Sequence, residues 1–186
     1  MTEKTVFAGF GGQGIISLGQ IWAYCGMKEG KQVSFYPFYG AEKRGGIARA
    51  NNIVSDGAIA SPIVTKATSV VVMNQDSLAV CAETLMAGGL MIVNSSLVST
   101  EGVTHDGKSL EQQFKVVPVA ATGIAESIGN PKIANMVVLG ALAAKTGALS
   151  LSTVEDILRD FFPESKHKFI PSNVQAIREG MNAVRA

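Results

Sequence analysis

Short continuous apolar runs alternate along the chain with stretches of helical period. The first run, Thr5-Val6-Phe7-Ala8, leads into Gly9-Phe10-Gly11-Gly12-Gln13-Gly14, and apolar residues then recur at Ile15, Leu18, Ile21, Trp22 and Cys25. That spacing predicts a strand, a tight turn and a helix that stops near Gly30. Val33 to Tyr36 is β-branched and aromatic and predicts a second strand beside the first in a parallel sheet. Ile47 to Val54 continues as a strand, and Ser55-Asp56-Gly57 has the chemistry to turn it back into Ala58-Ile59-Ala60 as a hairpin closed by Ser61-Pro62. Ser69 to Met73 and Leu90 to Val93 are unbroken apolar runs, the pattern of strands buried on both faces. Between them a helix is predicted from Asp76 or Ser77 through Leu78, Cys81, Ala82 and Leu85 to Gly88-Gly89.

Thr100 to Gln113 loses periodicity and predicts a surface excursion, and Phe114 to Pro118 returns to strand. Ala120 to Ile128 predicts a short helix. Asn130-Pro131 opens a second, Lys132 to Thr146, apolar on nearly every face and therefore either central or an interface helix. Ser152-Thr153-Val154-Glu155 has the form of a capping box for a helix to Phe161, and an amphipathic helix carrying Val174, Ile177, Met181 and Val184 follows Pro171-Ser172-Asn173. These elements predict an α/β fold: one three-layer α/β/α domain over residues 1–186, with a mostly parallel central sheet and some antiparallel hairpin pairing.

The glycine turn satisfies G-x-G-x-x-G, so a dinucleotide site is weighed first. Such a site needs an acid at the tip of the second strand, about 20 residues on, to hold the ribose hydroxyls. The second strand instead runs into Pro37-Phe38-Tyr39, with Glu29 before it and Glu42 well beyond it. The turn remains an anion cradle, because glycines admit close approach and the following helix offers unpaired N–H groups. Gly9, Gly11, Gly12, Gln13 and Gly14 are its candidate ligand contacts. Tyr39-Gly40-Ala41-Glu42-Lys43-Arg44-Gly45-Gly46 is a second candidate, with charge, glycine and an aromatic ring where a plain connection needs less. A solvated loop is the bland alternative. If both loops follow neighbouring strands they meet on one sheet edge, placing Lys43 or Arg44 near the first helix. Asn74 and Asn94, at the ends of buried strands, either line that crevice or serve as caps.

Composition narrows the classes further. With 16 basic and 15 acidic residues the formal charge is +1, which leaves no electrostatic footprint for nucleic acid or an anionic membrane. The most apolar stretch, Met136 to Ala144, is far short of the ~20 residues that span a bilayer, and Thr2-Glu3-Lys4 does not begin a secretory signal, so cytoplasm is the expected compartment. Cys25 and Cys81 suit buried reduced thiols, two being too few to ligate an iron–sulfur cluster. Asp106-Gly107 followed by Asn130 loosely imitates a thiamine-diphosphate motif, but His105 replaces its first glycine and no buried strand leads into it.

Taken together, Gly9-Phe10-Gly11-Gly12-Gln13-Gly14, Tyr39-Gly40-Ala41-Glu42-Lys43-Arg44-Gly45-Gly46, Ser55-Asp56, Ser61-Pro62-Ile63-Val64 and Asn130-Pro131-Lys132-Ile133-Ala134-Asn135-Met136 resemble the gamma subunit of 2-oxoacid:ferredoxin oxidoreductases over most of the chain. The Tyr39-Gly40 and Ser61-Pro62-Ile63-Val64 details look more like the 2-oxoglutarate enzymes than the pyruvate enzymes. The resemblance implies a subunit, inactive alone, of a complex that decarboxylates 2-oxoglutarate, forms succinyl-CoA with coenzyme A, and passes electrons to ferredoxin or a flavodoxin-type acceptor. Thiamine diphosphate, Mg2+ and 4Fe-4S clusters are then expected on alpha, beta and delta partners, with no cofactor or catalytic residue on this chain. Coenzyme A is a candidate ligand for the glycine turn with Lys43 and Arg44. Tyr39, Gly40, Glu42, Arg44, Gly45 and Gly46 are candidate interface residues. The alternatives are a gamma subunit for pyruvate or branched-chain 2-oxoacids, a stand-alone nucleotide-binding oxidoreductase, and a non-catalytic domain that assembles through the Met136 to Ala144 helix.

Overall fold

The computed structural model describes residues 1–39 and 46–185. In chain order the elements are β1 (Thr2–Phe10), α1 (Ile15–Lys28), β2 (Gln32–Tyr39), β3 (Ile47–Ser55), β4 (Ala67–Val72), α2 (Ser77–Thr84), β5 (Leu85–Asn94), β6 (Thr104–His105), β7 (Lys108–Ser109), α3 (Leu110–Gln113), β8 (Lys115–Val119), α4 (Ala121–Ser127), α5 (Ala134–Thr146), α6 (Leu151–Phe161) and α7 (Ile170–Asn182). Six strands form one sheet in the order β2-β3-β1-β4-β5-β8, and β6 and β7 form a small separate hairpin. β1, β4, β5 and β8 pair in parallel, whereas β3 runs antiparallel to both β1 and β2.

The apolar runs read correctly because the central strands are covered on both faces. Phe7, Val71 and Ile92 point into a core under α1, α4, α5, α6 and α7. Their neighbours Val6, Ala8, Val70, Val72, Met91 and Val93 point into a second core under α2 and α3. The result is the three-layer α/β/α arrangement, with one thick and one thin helical layer.

Several expectations are corrected. β2 does not lie beside β1: β3 inserts between them, with Phe10 opposite Ile47 and Gly9 opposite Ala48. The hairpin is formed by β2 and β3, with Tyr39 opposite Ala48, and residues 58–60 are not a strand. The insertion works because α1 packs closely on this part of the sheet. A Cβ at Gly19 would lie 2.6 Å from Ala50 Cβ, and one at Gly26 would lie 2.6 Å from Val33 Cγ1, so these glycines one heptad apart set the helix down on β2 and β3.

The helix after Ser77 ends at Thr84 rather than at Gly88. Leu85 already pairs with Ala67, and an irregularity separates it from the regular ladder that starts at Leu90. No capping box forms at residues 152–155, since Ser150 is the N-cap of α6 and makes no side-chain cap bond there. A reciprocal box occurs instead between Ser109 and Gln112 at α3, inside the stretch expected to be a plain excursion, where Leu110 is fully buried. The Lys132 to Thr146 helix is central, not an interface: Met136 to Ala143 are buried by the chain's own elements, which removes the face an assembly role would need. α7 begins at Ile170 and includes Pro171 in its first turn, earlier than expected.

Candidate functional site

The glycine turn and the Tyr39–Ile47 end of the β2–β3 hairpin lie on the same sheet edge, where the parallel strands end. Tyr39 and Gly9 both stand opposite Ala48, on its two sides. Tyr39 is 65% exposed, while Gly46 precedes β3. Gly40, Glu42, Lys43, Arg44 and Gly45 lie outside the described residues. The expectation that the two loops share an edge therefore holds for their described ends, though through an antiparallel strand. That strand also removes the adjacent parallel tip on which a dinucleotide site of the G-x-G-x-x-G kind relies.

Within the turn the five candidate residues divide by role. Gln13 is a brace: its Oε1 accepts from Phe10 N–H at 2.7 Å and its Nε2 donates to Met73 C=O at 3.0 Å, joining the turn to the end of β4. Gly9 leaves room for that brace, because a Cβ there would lie 2.7 Å from Gln13 Oε1 and 2.8 Å from Met73 Cβ. Gly11 and Gly12 face open space. Gly14, at φ 73°, is the N-cap of α1 and cannot cap it with a side chain. Leu18 N–H to Gly14 C=O at 2.9 Å is the first bond of the helix, so the preceding N–H groups stay available at the positive end of its dipole, and the first turn contains no acid.

Two adjoining cavities open at this point. One, of about 240 Å³, is lined by Gly12, Gln13, Met73, Leu97, Thr122 and the start of α5. The other, of about 440 Å³, runs past Ser17 and Met136 to Phe162, Lys166, Phe169 and Asn173. Lys132 and Asn135 line both, and among the described residues no Asp or Glu lines either. Neither residue was expected at a site. Their neighbours Asn130 and Pro131 act as cap and first-turn proline, though of a short 3-10 turn (Pro131–Ile133) that leads into α5 rather than of α5 itself, whose N-cap is Ile133; Asn130 Oδ1 accepts from Lys132 N–H at 3.2 Å. The overlooked signal was Asn135 itself, a lone amide in the otherwise apolar run Ala134 to Ala144. For Lys166, Phe169 and Asn173 the sequence held no comparable sign.

The remaining candidates serve structure. Asn74 Oδ1 accepts from Ser77 N–H at 3.1 Å, and Asn94 bonds both the side chain and the N–H of Thr122, so these two are caps. Cys25 and Cys81 belong to opposite cores, and burial pushes both thiols up to about 12. They are separated by the sheet and cannot pair. Asp106 and Gly107 form the tip of the β6–β7 hairpin at positive φ, away from any buried strand end. Among the described residues no three His, Cys, Asp or Glu side chains gather as a metal site, and no helix is long and apolar enough to cross a membrane.

Larger cavities exist at the opposite edge. One of about 530 Å³ includes Ser61 and Ile63, so the Ser61-Pro62-Ile63-Val64 segment stands where the strands begin and does not face the glycine turn. Another, of about 490 Å³, is lined in part by Glu3, which accepts from Ser69 Oγ at 2.6 Å and Thr68 Oγ1 at 2.7 Å. Open α/β sheets place ligands at the carboxyl ends of strands, which favours the glycine-turn edge over these.

Comparison with known proteins gives a consistent result. Residues 4–183 match the family described as pyruvate ferredoxin/flavodoxin oxidoreductase. The chain is 33% identical to ketoisovalerate oxidoreductase subunit VorA of Methanothermobacter thermautotrophicus, over 98% of this chain but only 36% of that one, so it spans about a third of that relative's length. It is 29% identical to 2-oxoglutarate synthase subunit KorC of Methanothermobacter marburgensis (99% and 97% covered). It is 34% identical to the common gamma subunit of the pyruvate/ketoisovalerate oxidoreductases of Thermococcus kodakarensis (95% and 94%). The crystal structure of a keto/oxoacid ferredoxin oxidoreductase gamma subunit from Geobacter sulfurreducens superposes with a TM-score of 0.81 at 27% identity, covering 98% of both chains. A 2-oxoglutarate:ferredoxin oxidoreductase from Magnetococcus marinus, with 2-oxoglutarate, coenzyme A and succinyl-CoA bound, shares the fold at a TM-score of 0.84 and 21% identity over 99% of this chain and 31% of that one.

Proposed function

The chain belongs to the pyruvate ferredoxin/flavodoxin oxidoreductase family, and from that membership we propose that it is the gamma-type subunit of a cytoplasmic 2-oxoglutarate:ferredoxin oxidoreductase. The observation that supports this is coverage: 2-oxoglutarate synthase subunit KorC and the common gamma subunit are matched over 97% and 94% of their own length. The complex would take 2-oxoglutarate, coenzyme A and an oxidised ferredoxin or flavodoxin-type acceptor to succinyl-CoA, CO2 and reduced acceptor. Thiamine diphosphate, Mg2+ and 4Fe-4S clusters belong on the alpha, beta and delta partners in this reading. The two cysteines of this chain are buried on opposite sides of its sheet, and two are too few to ligate a cluster.

This chain's own contribution is twofold. The sheet edge formed by the glycine turn, together with Lys43 and Arg44 from the segment that joins β2 to β3 in sequence, contributes to the path of coenzyme A, whose phosphates suit unpaired N–H groups and basic side chains. Tyr36, Phe38 and Tyr39 on the edge strand β2 are exposed and, with the loop they lead into, supply a surface for partner subunits. The 2-oxoglutarate assignment rests on Tyr39-Gly40 and Ser61-Pro62-Ile63-Val64. Relatives named for ketoisovalerate, pyruvate and 2-oxoglutarate are similarly distant, so pyruvate or a branched-chain 2-oxoacid is the alternative.

Co-expression with the alpha, beta and delta partners, with and without this chain, tests the reading. Low-potential dye reduction that requires this chain, coenzyme A and 2-oxoglutarate is the expected outcome. Full activity without the chain refutes the subunit role, and a preference for pyruvate or 2-oxoisovalerate refutes the substrate.

A further inference from the structure

We propose that the cavity at the amino-terminal ends of the central strands, lined by Glu3, Lys115 and Lys145, binds a free aliphatic α-amino acid as its zwitterion. It lies at the end of the sheet opposite the glycine turn, since Glu3 begins β1 and the turn follows its last residue, Phe10.

Glu3 sets this cavity apart. It is 8% exposed, lines a cavity of about 490 Å³, and forms no ion pair among the described residues. The hydroxyls of Ser69, at 2.6 Å, and Thr68, at 2.7 Å, both donate to Oε1, and Oε2 accepts no hydrogen bond among the described residues. Thr5 Oγ1 stands 3.0 Å from Ser69 Oγ, and because the Ser69 proton is committed to Glu3, Thr5 is the donor there. Hydroxyls thus hold one carboxylate oxygen and leave the other for a donor from the cavity. A buried carboxylate with half its acceptor capacity unmet is costly, and an ammonium group answers it with charge and hydrogen bonds together. Thr146, the last residue of α5, lines the same cavity, so the negative end of that helix dipole adds to the preference for a cation.

A lone cation is nevertheless the wrong ligand, because Lys115 and Lys145 line the cavity as well. The sheet register shows how the signs are spread. Thr5, Ser69, Leu90 and Lys115 form one row across β1, β4, β5 and β8, and Glu3 lies two residues before Thr5 on the same face. Lys115 is thus three strands away from β1, about 14 Å at ordinary strand spacing. Glu3 leans toward β4, which carries both of its hydroxyl donors, and a flexible lysine stem spans much of the remaining gap. Leu90 stands between the two charges, and Val117 and the half-exposed Met86 line the cavity with it. Carboxylate, apolar patch and ammonium therefore follow one another across the strands. A simple anion would meet Glu3, and a polyamine or divalent cation would meet the two lysines. A ligand with ammonium and carboxylate on one carbon satisfies both signs, and an aliphatic side chain covers Leu90, Val117 and Met86.

Calorimetric titration of the full chain with L-leucine, 2-oxoisocaproate and isopentylamine tests the assignment, because the second probe lacks the ammonium and the third the carboxylate. Leucine should bind, and each analogue should bind at least about ten-fold more weakly. Glu3→Gln keeps the shape and an acceptor for the hydroxyls but removes the charge, and should bind leucine about ten-fold more weakly. Lys115→Gln combined with Lys145→Gln should do the same. Both lysines are exposed, so that variant reports on binding even if Glu3→Gln disturbs the fold. Absence of leucine binding overturns the proposal, as does wild-type affinity in the double lysine variant. Isopentylamine binding as tightly as leucine means that a lone cation suffices, and 2-oxoisocaproate binding as tightly means that Glu3 takes no part; either result overturns it too. These titrations use neither partner subunits nor 2-oxoglutarate, so the subunit role stands or falls separately, on the reconstituted activity.

Discussion

Gly180→Ala is a substitution whose sign separates two physical accounts of the α5–α7 crossing. In an exposed helix the change stabilises by about 1 kcal/mol, because glycine has the higher backbone entropy in the unfolded chain. Here a Cβ at Gly180 would fall on the Val137 carbonyl of α5, and one at Gly140 would fall on the Ile177 carbonyl of α7. The two helices therefore cross backbone against backbone, and a methyl at either glycine meets an atom that no rotamer change can move aside. Overpacking of this kind costs about 1–3 kcal/mol and sometimes more. Separating the helices also loosens the fully buried Leu139, Leu142 and Ile177. A clash with backbone rather than side chain belongs at the upper end of that range, about 3 kcal/mol; with the propensity gain of about 1 kcal/mol subtracted, the expected net is about 2 kcal/mol of destabilisation, or roughly 4–8 °C in Tm for a chain of this size. Urea unfolding of the full chain, followed by circular dichroism, measures it. Gly140→Ala should behave alike, and the double variant should cost less than the sum, since one separation relieves both contacts. A Gly180→Ala chain as stable as the parent, or more so, would refute the close crossing.

Two further outcomes follow from the site and the core. Gln13→Leu removes the acceptor of Phe10 N–H and the donor to Met73 C=O while preserving bulk, and should lower stability by about 2 kcal/mol in urea titration; an unchanged midpoint means the brace holds nothing. Cys25 and Cys81 should resist a thiol reagent in the native protein at pH 8 and react after denaturation. Their folded pKa values, raised to about 12, hold the protonated thiol, so that contribution to stability is complete below the ordinary thiol value of 9.0 and declines as pH rises toward 12. Rapid native labelling of either thiol contradicts the burial.

Individual elements show which signals were local. The runs Val70-Val71-Val72 and Met91-Ile92-Val93 announced buried strands because both faces of each are covered, a condition written in every position of the run. Asn130-Pro131 announced its cap because the bond is to Lys132, two residues away. Leu85 misled because its partner is Ala67 on another strand, and pairing overrode a helical period. The Ser152 box failed for a similar reason: the chain entered α6 earlier, at Ser150, whose N–H is held by Glu29 Oε1 at 2.7 Å, from the far end of α1.

The sequence by itself determined the α/β class, the strand–turn–helix at the glycine turn, most helix positions and, through its motifs, the family resemblance. All of these depend on periodicity, caps and turn residues that act within a few positions. Tertiary structure alone decided that β3 enters between β1 and β2, that α5 is core rather than interface, and that Asn135 meets Gly14 at the start of α1. Those outcomes turn on which surfaces bury one another across distant segments, and a buried amide beside a glycine becomes visible only when the two helices that carry them are brought together.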